Sequence, residues 1–253
     1  MMDYKTIKVT REGSICTLQI HRPQNNNTID NVLIDEMRVA LNACLEEVTI
    51  VVLKGLPHVF CFGADFNFAK TQANEGQHQD PEPLYDLWYL LATGSFITIA
   101  CVEGKANAGG IGFVAACDIV LSSEQAVYSL SEMLFGLFPA CVMPYLMRKI
   151  GYQKANHLTL MTKPINAKTA QEIGLVDEVN SSLEQALRAC LMRVKCLSKA
   201  AITRHKRYMH EFNPVLQQMK PVSLRANSEV FSDVDNIKLI IRYVETGQMP
   251  WEK

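Results

Sequence analysis

The stretch Phe96-Ile-Thr-Ile-Ala-Cys-Val-Glu-Gly-Lys-Ala-Asn-Ala-Gly-Gly-Ile-Gly-Phe-Val-Ala-Ala-Cys-Asp118 decides the reading of this chain. It begins as a β-branched, apolar run from Phe96 to Val102, the pattern of a buried strand. It turns through Gly104 into small residues that include Gly109, Gly110 and Gly112. The apolar run Phe113 to Cys117 then suits a buried helix. A strand, a glycine turn and a helix start leave bare backbone N–H groups at the helix N-terminus. Those groups and the helix dipole favour a negatively charged oxygen. The glycines also fit a simpler role, close packing of helix on strand. The spacing excludes a dinucleotide fingerprint, because Gly-x-Gly-x-x-Gly is absent, and a phosphate loop, because no Gly-Lys-Ser/Thr follows.

A second stretch upstream favours the anion-holding role. Thr49 to Leu53 reads as a short buried strand, and Gly55-Leu56-Pro57 turns the chain towards Phe60-Cys-Phe-Gly-Ala-Asp65. Gly63 and Ala64 fall in a tight turn, and the small side chain of Ala64 leaves its N–H open to approach. With the N–H of Gly109, this makes two donors on separate turns. Such a pair can hold a carbonyl oxygen as it gains charge.

The remaining chain reads as an α/β core followed by helices. Ser14 to Ile20 alternates as a half-buried strand, and Gln24 to Asn27 form a loop. Asp30 or Asn31 can cap a helix with Leu33, Met37, Ala40, Leu41 and Cys44 on one face. Thr71 to Pro83 is polar and reads as a mobile loop, and Leu84 to Ala92 resumes a helix. Strand signals recur at 118–121, 126–130 and 174–179. Strand pairs followed by a helix repeat to about residue 180, as stacked units of one core would. Residues 1–180 are therefore expected to form the core with the site, and 181–253 a helical region. Its last helix, Asn236 to Thr246, is stopped by Gly247 and Pro250. That helix carries an apolar face wide enough to require burial against the core or another subunit.

Composition narrows the function classes. The 253 residues carry a net charge of −1 and are 48% hydrophobic, enough for a large core and without a global signal for nucleic acid or an anionic membrane. The eight cysteines lie mostly in apolar runs with no Cys-x-x-Cys pair, which argues for buried free thiols in a reducing cytoplasmic setting. No run reaches the roughly 20 apolar residues of a membrane span. Met-Met-Asp-Tyr-Lys-Thr lacks a signal peptide's apolar core.

In order along the chain stand His21-Arg-Pro-Gln-Asn-Asn-Asn27, Phe60-x-x-Gly-Ala-Asp65, Gly104-x-Ala-x-Ala-Gly-Gly110 and Cys117-Asp-Ile. Ser131-Glu-x-x-x-Gly136-x-x-Pro139 and Ala170-x-x-x-Gly-Leu-Val-Asp177 follow. Together they resemble the crotonase (enoyl-CoA hydratase/isomerase) family over nearly the whole chain. Within it, the chain is most similar to the dehydratases of polyketide β-branching cassettes. That likeness rests on Phe60 to Phe66, Glu82-Pro-Leu-Tyr-Asp-Leu-Trp88, Phe135-Gly-Leu-Phe-Pro-Ala-Cys141 and Arg242 to Trp251.

The resemblance implies a spiral of ββα turns, a C-terminal helical region, and a homotrimer often paired into hexamers. It places the oxyanion donors on the N–H groups of Ala64 and Gly109. Of the two glutamates that act in the family's hydratases, one matches Glu132, and the other position holds Gly112. It implies no cofactor, the substrate being a thioester on the phosphopantetheine of an acyl carrier protein. The implied reaction turns a 3-hydroxy-3-methylglutaryl thioester into a 3-methylglutaconyl thioester. Two rivals are a hydratase or double-bond isomerase acting on acyl-CoA, and a catalytically silent scaffold prompted by Gly112. Asn25 departs from the lysine or arginine that many coenzyme A-binding members carry there. Asp65 is expected to brace its own turn, with a catalytic role as the alternative, and with Gly63 it is a candidate for the substrate-binding wall. Lys105 or Asn107 is a candidate partner for a substrate carboxylate; His58 reads as a loop histidine and Tyr85 as a packing residue beside the mobile loop, with the acyl pocket as the alternative for both. The basic run Arg204-His-Lys-Arg207 reads as a solvated helix face or a greeting surface for an acidic carrier.

Overall fold

The computed structural model describes residues 4–65, 80–212 and 214–252. Most of the Thr71–Pro83 stretch lies outside the described residues. Among them, the strands form two sheets. The larger has the order β1-β2-β3-β5-β7-β10, made of Ile7–Glu12, Ile15–Ile20, Ile50–Lys54, Ile97–Val102, Ile119–Ser123 and Glu178–Asn180. The smaller has the order β4-β6-β8-β9, made of Val59–Cys61, Lys105–Asn107, Val127–Ser129 and Ile165–Asn166. The pairs β1/β2 and β8/β9, each at one edge of its sheet, run antiparallel and the others parallel.

Each repeat sends one strand into each sheet, which makes the chain a spiral. Thus β3, β5 and β7 are neighbours in the large sheet, while the strands that follow them, β4, β6 and β8, are neighbours in the small one. The register carries the repeat, with Ile50 paired to Ile97 and Ile99 to Ile119. The parallel strands are apolar on both faces because both faces are covered. Ile50, Val52, Ile99 and Cys101 point into one cluster with Leu183 and Leu187. The alternate residues Val51, Leu53, Ala100 and Val102 point into the main core. One period-2 pattern therefore feeds two layers.

The helices follow their sequence signals. Helix α1, Asn31–Asn42, is capped by Asp30, whose side chain accepts from the Leu33 N–H. It buries Leu33, Ile34, Met37, Ala40 and Leu41. Helix α2 is Glu82–Thr93 and α3 is Gly109–Ala116, so α3 starts at the glycines and not at Phe113. Three helices the sequence reading passed over fill 143–172: α4 Met143–Ile150, α5 Tyr152–Met161 and α6 Ala167–Glu172. The C-terminal helices are α7 Leu183–Val194, α8 Lys199–Phe212, α9 Val215–Ser232 and α10 Val234–Thr246. Strand β1 was also passed over, and the strand expected at 174–179 shrinks to β10 because Gly174 turns at a positive φ.

The basic run on α8 is not one solvated face. Lys206 is buried, with Nζ 2.7 and 2.8 Å from the two carboxylate oxygens of Asp118. Asp118 also accepts from the Thr98 N–H and hydroxyl at 2.9 and 3.0 Å. The pair therefore pins α8 to the spiral core. Among the described residues, no helix is long and apolar enough to cross a membrane.

Candidate active site

Two turns meet at the heart of the molecule. Strand β4 ends at Cys61 and the chain turns at Gly63, whose φ of +92° favours glycine. Strand β6 ends at Asn107, and Ala108 takes φ 50° and ψ −120°, rare for a residue with a side chain. Ala108 is the N-cap of α3, and its N–H donates to the Ser129 carbonyl at 3.0 Å. The N–H groups of Ala64 and Gly109 have no hydrogen-bond partner among the described residues. Ala64 is also bridged to Ile29, the Asp65 N–H donating to the Ile29 carbonyl at 3.0 Å. Two free donors thus sit on abutting, braced turns, one of them at a helix N-terminus.

Both turns line a cavity of about 850 Å³. Glu132 lines it too, in a single 3-10 turn, Glu132–Phe135, after β8. Its Oε2 is fully buried without a hydrogen-bond partner among the described residues. Burial pushes this carboxyl up to about 7, against hydrogen bonds from the backbone N–H groups of Glu132 and Ser131. A carboxyl with a value near neutral is suited to general acid–base work.

Asn107 lines the cavity, but its amide is committed to the protein. Its Nδ2 donates to Ser131 Oγ at 3.1 Å and to the Phe62 carbonyl at 3.4 Å, and its Oδ1 accepts from Ser129 at 2.7 Å. The residue ties the Phe62 turn to Ser131, the residue before Glu132. Asp65 is 7% exposed, accepts from the Thr28 hydroxyl at 2.9 Å and lies 3.5 Å from Arg22 Nη2. It braces the Ala64 turn. Gly63 stands behind Ala64 and does not itself line the cavity. Lys105 is exposed and is the one cationic side chain among the described cavity-lining residues.

Tyr85 and His58 take the packing and loop places rather than the acyl pocket. Tyr85 is fully buried, and its hydroxyl donates to the Leu216 carbonyl. It packs at 5.1 Å, ring centre to centre, on Tyr145, whose hydroxyl donates to the Tyr85 carbonyl at 2.8 Å. An aromatic with an apolar body and a satisfied hydroxyl belongs in the core, where Tyr85 joins α2 to α9. His58 is exposed between β3 and β4, outside the cavity lining. Its carbonyl accepts from the Lys105 N–H at 3.2 Å, so its role is in the corner of the repeat.

Other site residues escaped the sequence reading. The cavity wall includes Phe231, Ile237, Ile240, Ile241, Tyr243 and Val244 from α9 and α10. The wide apolar face of α10 thus covers the site within the same chain, with Ile240 packed in a cluster with Phe135 and Leu137. Asn236 anchors it by donating to the Gly136 carbonyl at 3.1 Å. Trp88, noted in sequence only as part of a motif, also lines the cavity and is 1% exposed. A Cβ on Gly112 would lie 2.5 Å from its Cζ2 and 2.6 Å from its Cε2. The indole occupies the space into which a side chain at 112 would grow. Among the described residues, no cluster of three or more His, Cys, Asp or Glu side chains is arranged to hold a metal ion.

Comparison with known proteins finds the same fold. Residues 10–253 match the family model described as enoyl-CoA hydratase/isomerase. The chain is 49% identical to the bacillaene synthase dehydratase PksH of Bacillus subtilis, covering 100% of this chain and 98% of that protein. It is 30% identical to the 2,3-dehydroadipyl-CoA hydratase of Escherichia coli, over 71% of this chain and 72% of that one. A crystal structure of the PksH polyketide biosynthesis enoyl-CoA hydratase from Bacillus subtilis superposes with a TM-score of 0.96 at 49% identity, covering 98% of this chain and all of that one. An enoyl-CoA hydratase of Bacillus halodurans, 18% identical, shares the fold with a TM-score of 0.85 over 94% of this chain and 99% of that one.

Proposed function

The chain belongs to the enoyl-CoA hydratase/isomerase family, as a carbon–oxygen lyase, and from that premise we propose that it dehydrates a 3-hydroxy-3-methylglutaryl thioester carried on an acyl carrier protein. The observation that carries this reading is Glu132: a buried carboxyl with an unpartnered oxygen, in one cavity with the free N–H groups of Ala64 and Gly109. The 49% likeness to a dehydratase of bacillaene synthase supports the pathway class.

The chemistry follows from those groups. The thioester oxygen accepts from Ala64 and Gly109, which stabilises the enolate and so acidifies C2. Glu132 takes the C2 proton, and the C–H electron pair moves into the enolate. The enolate electrons return to form the C2=C3 bond, and the C3–O bond breaks. The departing hydroxyl takes the proton back from Glu132 and leaves as water. One carboxyl serves both transfers on one face, so the elimination is syn. The tertiary C3 eases C–O cleavage by letting it run ahead of the proton transfer.

The substrate arrives as a phosphopantetheine thioester and needs no further cofactor. Asn25, at the cavity, brings no charge to a nucleotide. Lys105 supplies the positive charge for the distal carboxylate. The protein assembles as a homotrimer or hexamer, for which the exposed Tyr208, Met209 and Phe212 of α8 offer apolar surface. The test is turnover of the same acyl group on a carrier protein and on coenzyme A. A higher kcat/KM with the carrier form is expected. An equal or higher value with coenzyme A would replace this reading by a general acyl-CoA hydratase, and no turnover of either by a silent scaffold.

A further inference from the structure

Two buried side-chain polar atoms among the described residues lack a hydrogen-bond partner, Trp88 Nε1 and Glu132 Oε2. Native interiors rarely leave such atoms unmet, and those that remain call for an explanation. Both residues line the cavity that holds the two oxyanion donors. The indole nitrogen is a donor only, and a carboxylate oxygen an acceptor. The position of the indole is equally specific. Cε2, the ring carbon bonded to Nε1, lies 2.6 Å from where a Cβ of Gly112 would stand. Cζ2 and Cη2 lie 2.5 and 2.7 Å from the same point, so the six-membered edge of the indole occupies the ground of a position-112 side chain. The rest of the ring is held by edge-on contacts with Phe113 and Tyr145, at 5.9 and 5.8 Å between ring centres.

We propose that Trp88 is a substrate-contacting residue whose indole N–H donates to the C3 hydroxyl oxygen and fixes it against Glu132. A hydroxyl is both donor and acceptor, so one substrate group answers both orphan atoms. Its O–H faces the Glu132 carboxylate before reaction, and its lone pair accepts from the indole. When Glu132 has taken the C2 proton, the oxygen is already held where that proton must be delivered. The donor also stabilises the charge that gathers on the oxygen as the C3–O bond lengthens. An indole neither takes nor gives up a proton here, so Glu132 stays the sole proton carrier. A ligand with no C3 oxygen would leave the indole unmet, which makes the contact a selection for 3-hydroxyacyl thioesters.

This inference rests on the dehydration reading, yet the contact can be read without turnover. The chain has two tryptophans, and Trp251 is exposed. In full-length protein carrying Trp251→Phe and Glu132→Gln, the remaining indole N–H signal in a proton–nitrogen NMR spectrum belongs to Trp88. Saturation with 3-hydroxybutyryl-pantetheine should move that signal downfield, and butyryl-pantetheine, which lacks only the hydroxyl, should not. The same shift with both ligands, or none with either, would overturn the contact. In parallel, Trp88→Phe retains an aromatic ring but no donor, and its kcat/KM for the carrier-bound substrate should fall about tenfold, the loss of one hydrogen bond. An unchanged kcat/KM in that variant would also overturn it. A wild-type protein that dehydrates nothing, together with the hydroxyl-dependent shift, would remove the dehydration reading and keep the contact.

Discussion

A Cβ on Gly63 would stand 2.7 Å from the Cβ of Ala108, so the turns that carry the Ala64 and Gly109 N–H groups, the proposed oxyanion donors, touch each other. That contact, between the glycine turn at Gly63 and the positive φ of Ala108, is expected to set the spacing of the two N–H groups.

Gly63→Ala should therefore separate the turns. The added methyl meets Ala108 and also lies 3.2 Å from the Gly109 nitrogen, and alanine is strained at φ +92°. Misplacing one donor should lower kcat about 100-fold, with a loss of stability of about 1 kcal/mol or more. Steady-state kinetics beside a thermal melt reads both effects. A folded variant at full rate would show that the turns do not set the donors.

Glu132→Gln should lower dehydration at least about 100-fold. The wild-type kcat/KM should rise with pH through about 7 and then level, since Glu132 must be ionised to take the C2 proton. A pH–rate profile checks this, and the limb should vanish from the residual rate of the variant.

The same carboxyl makes a stability prediction of definite sign. Its folded value is raised to about 7 by burial, so between the unfolded value near 4.3 and 7 the native state binds more protons than the unfolded one. Stability from this group therefore falls as pH rises through that window. Glu132→Gln, which never ionises, should match wild type best near pH 4 and gain on it towards pH 8, by on the order of 1–3 kcal/mol. Urea denaturation at the two pH values measures the difference, and a constant offset would place Glu132 in a wetter setting.

Lys105→Ala should weaken binding of a substrate with a distal carboxylate and spare one without it. KM for the 3-hydroxy-3-methylglutaryl thioester should rise about tenfold, in keeping with one charged hydrogen bond, while that for a 3-hydroxybutyryl thioester holds. Equal effects on both would move carboxylate recognition away from Lys105.

Local chemistry was the legible part of the sequence. The cap at Asp30, the apolar strand Ile50 to Lys54 and the small residues around Gly63 and Gly109 each state their conformation through neighbours in the chain. What escaped depends on packing between distant segments. Tyr85 looks the same in sequence whether it faces a ligand or Leu216, 131 residues away. Lys206 sits in a basic run, and only the fold brings Asp118 beneath it. The cavity wall from α10 was visible as an excess of apolar surface, but not as to what it covered. Trp88 was hidden for a related reason: the missing carboxylate at Gly112 shows in sequence, while the ring that fills its place lies 24 residues earlier.

That contact between Trp88 and Gly112 also restricts how the chain can diverge. A glutamate cannot appear at 112 while the indole stands there, because its Cβ would fall 2.5 Å from the ring. Shrinking Trp88 first opens a void in the core, at a cost of about 3–5 kcal/mol for an aromatic cut to alanine. Each order of change passes through a damaged protein, since one step overfills the site and the other empties it. Positions 88 and 112 should therefore be inherited as a pair. Descendants of this chain would keep a one-carboxyl catalyst even if their substrates changed.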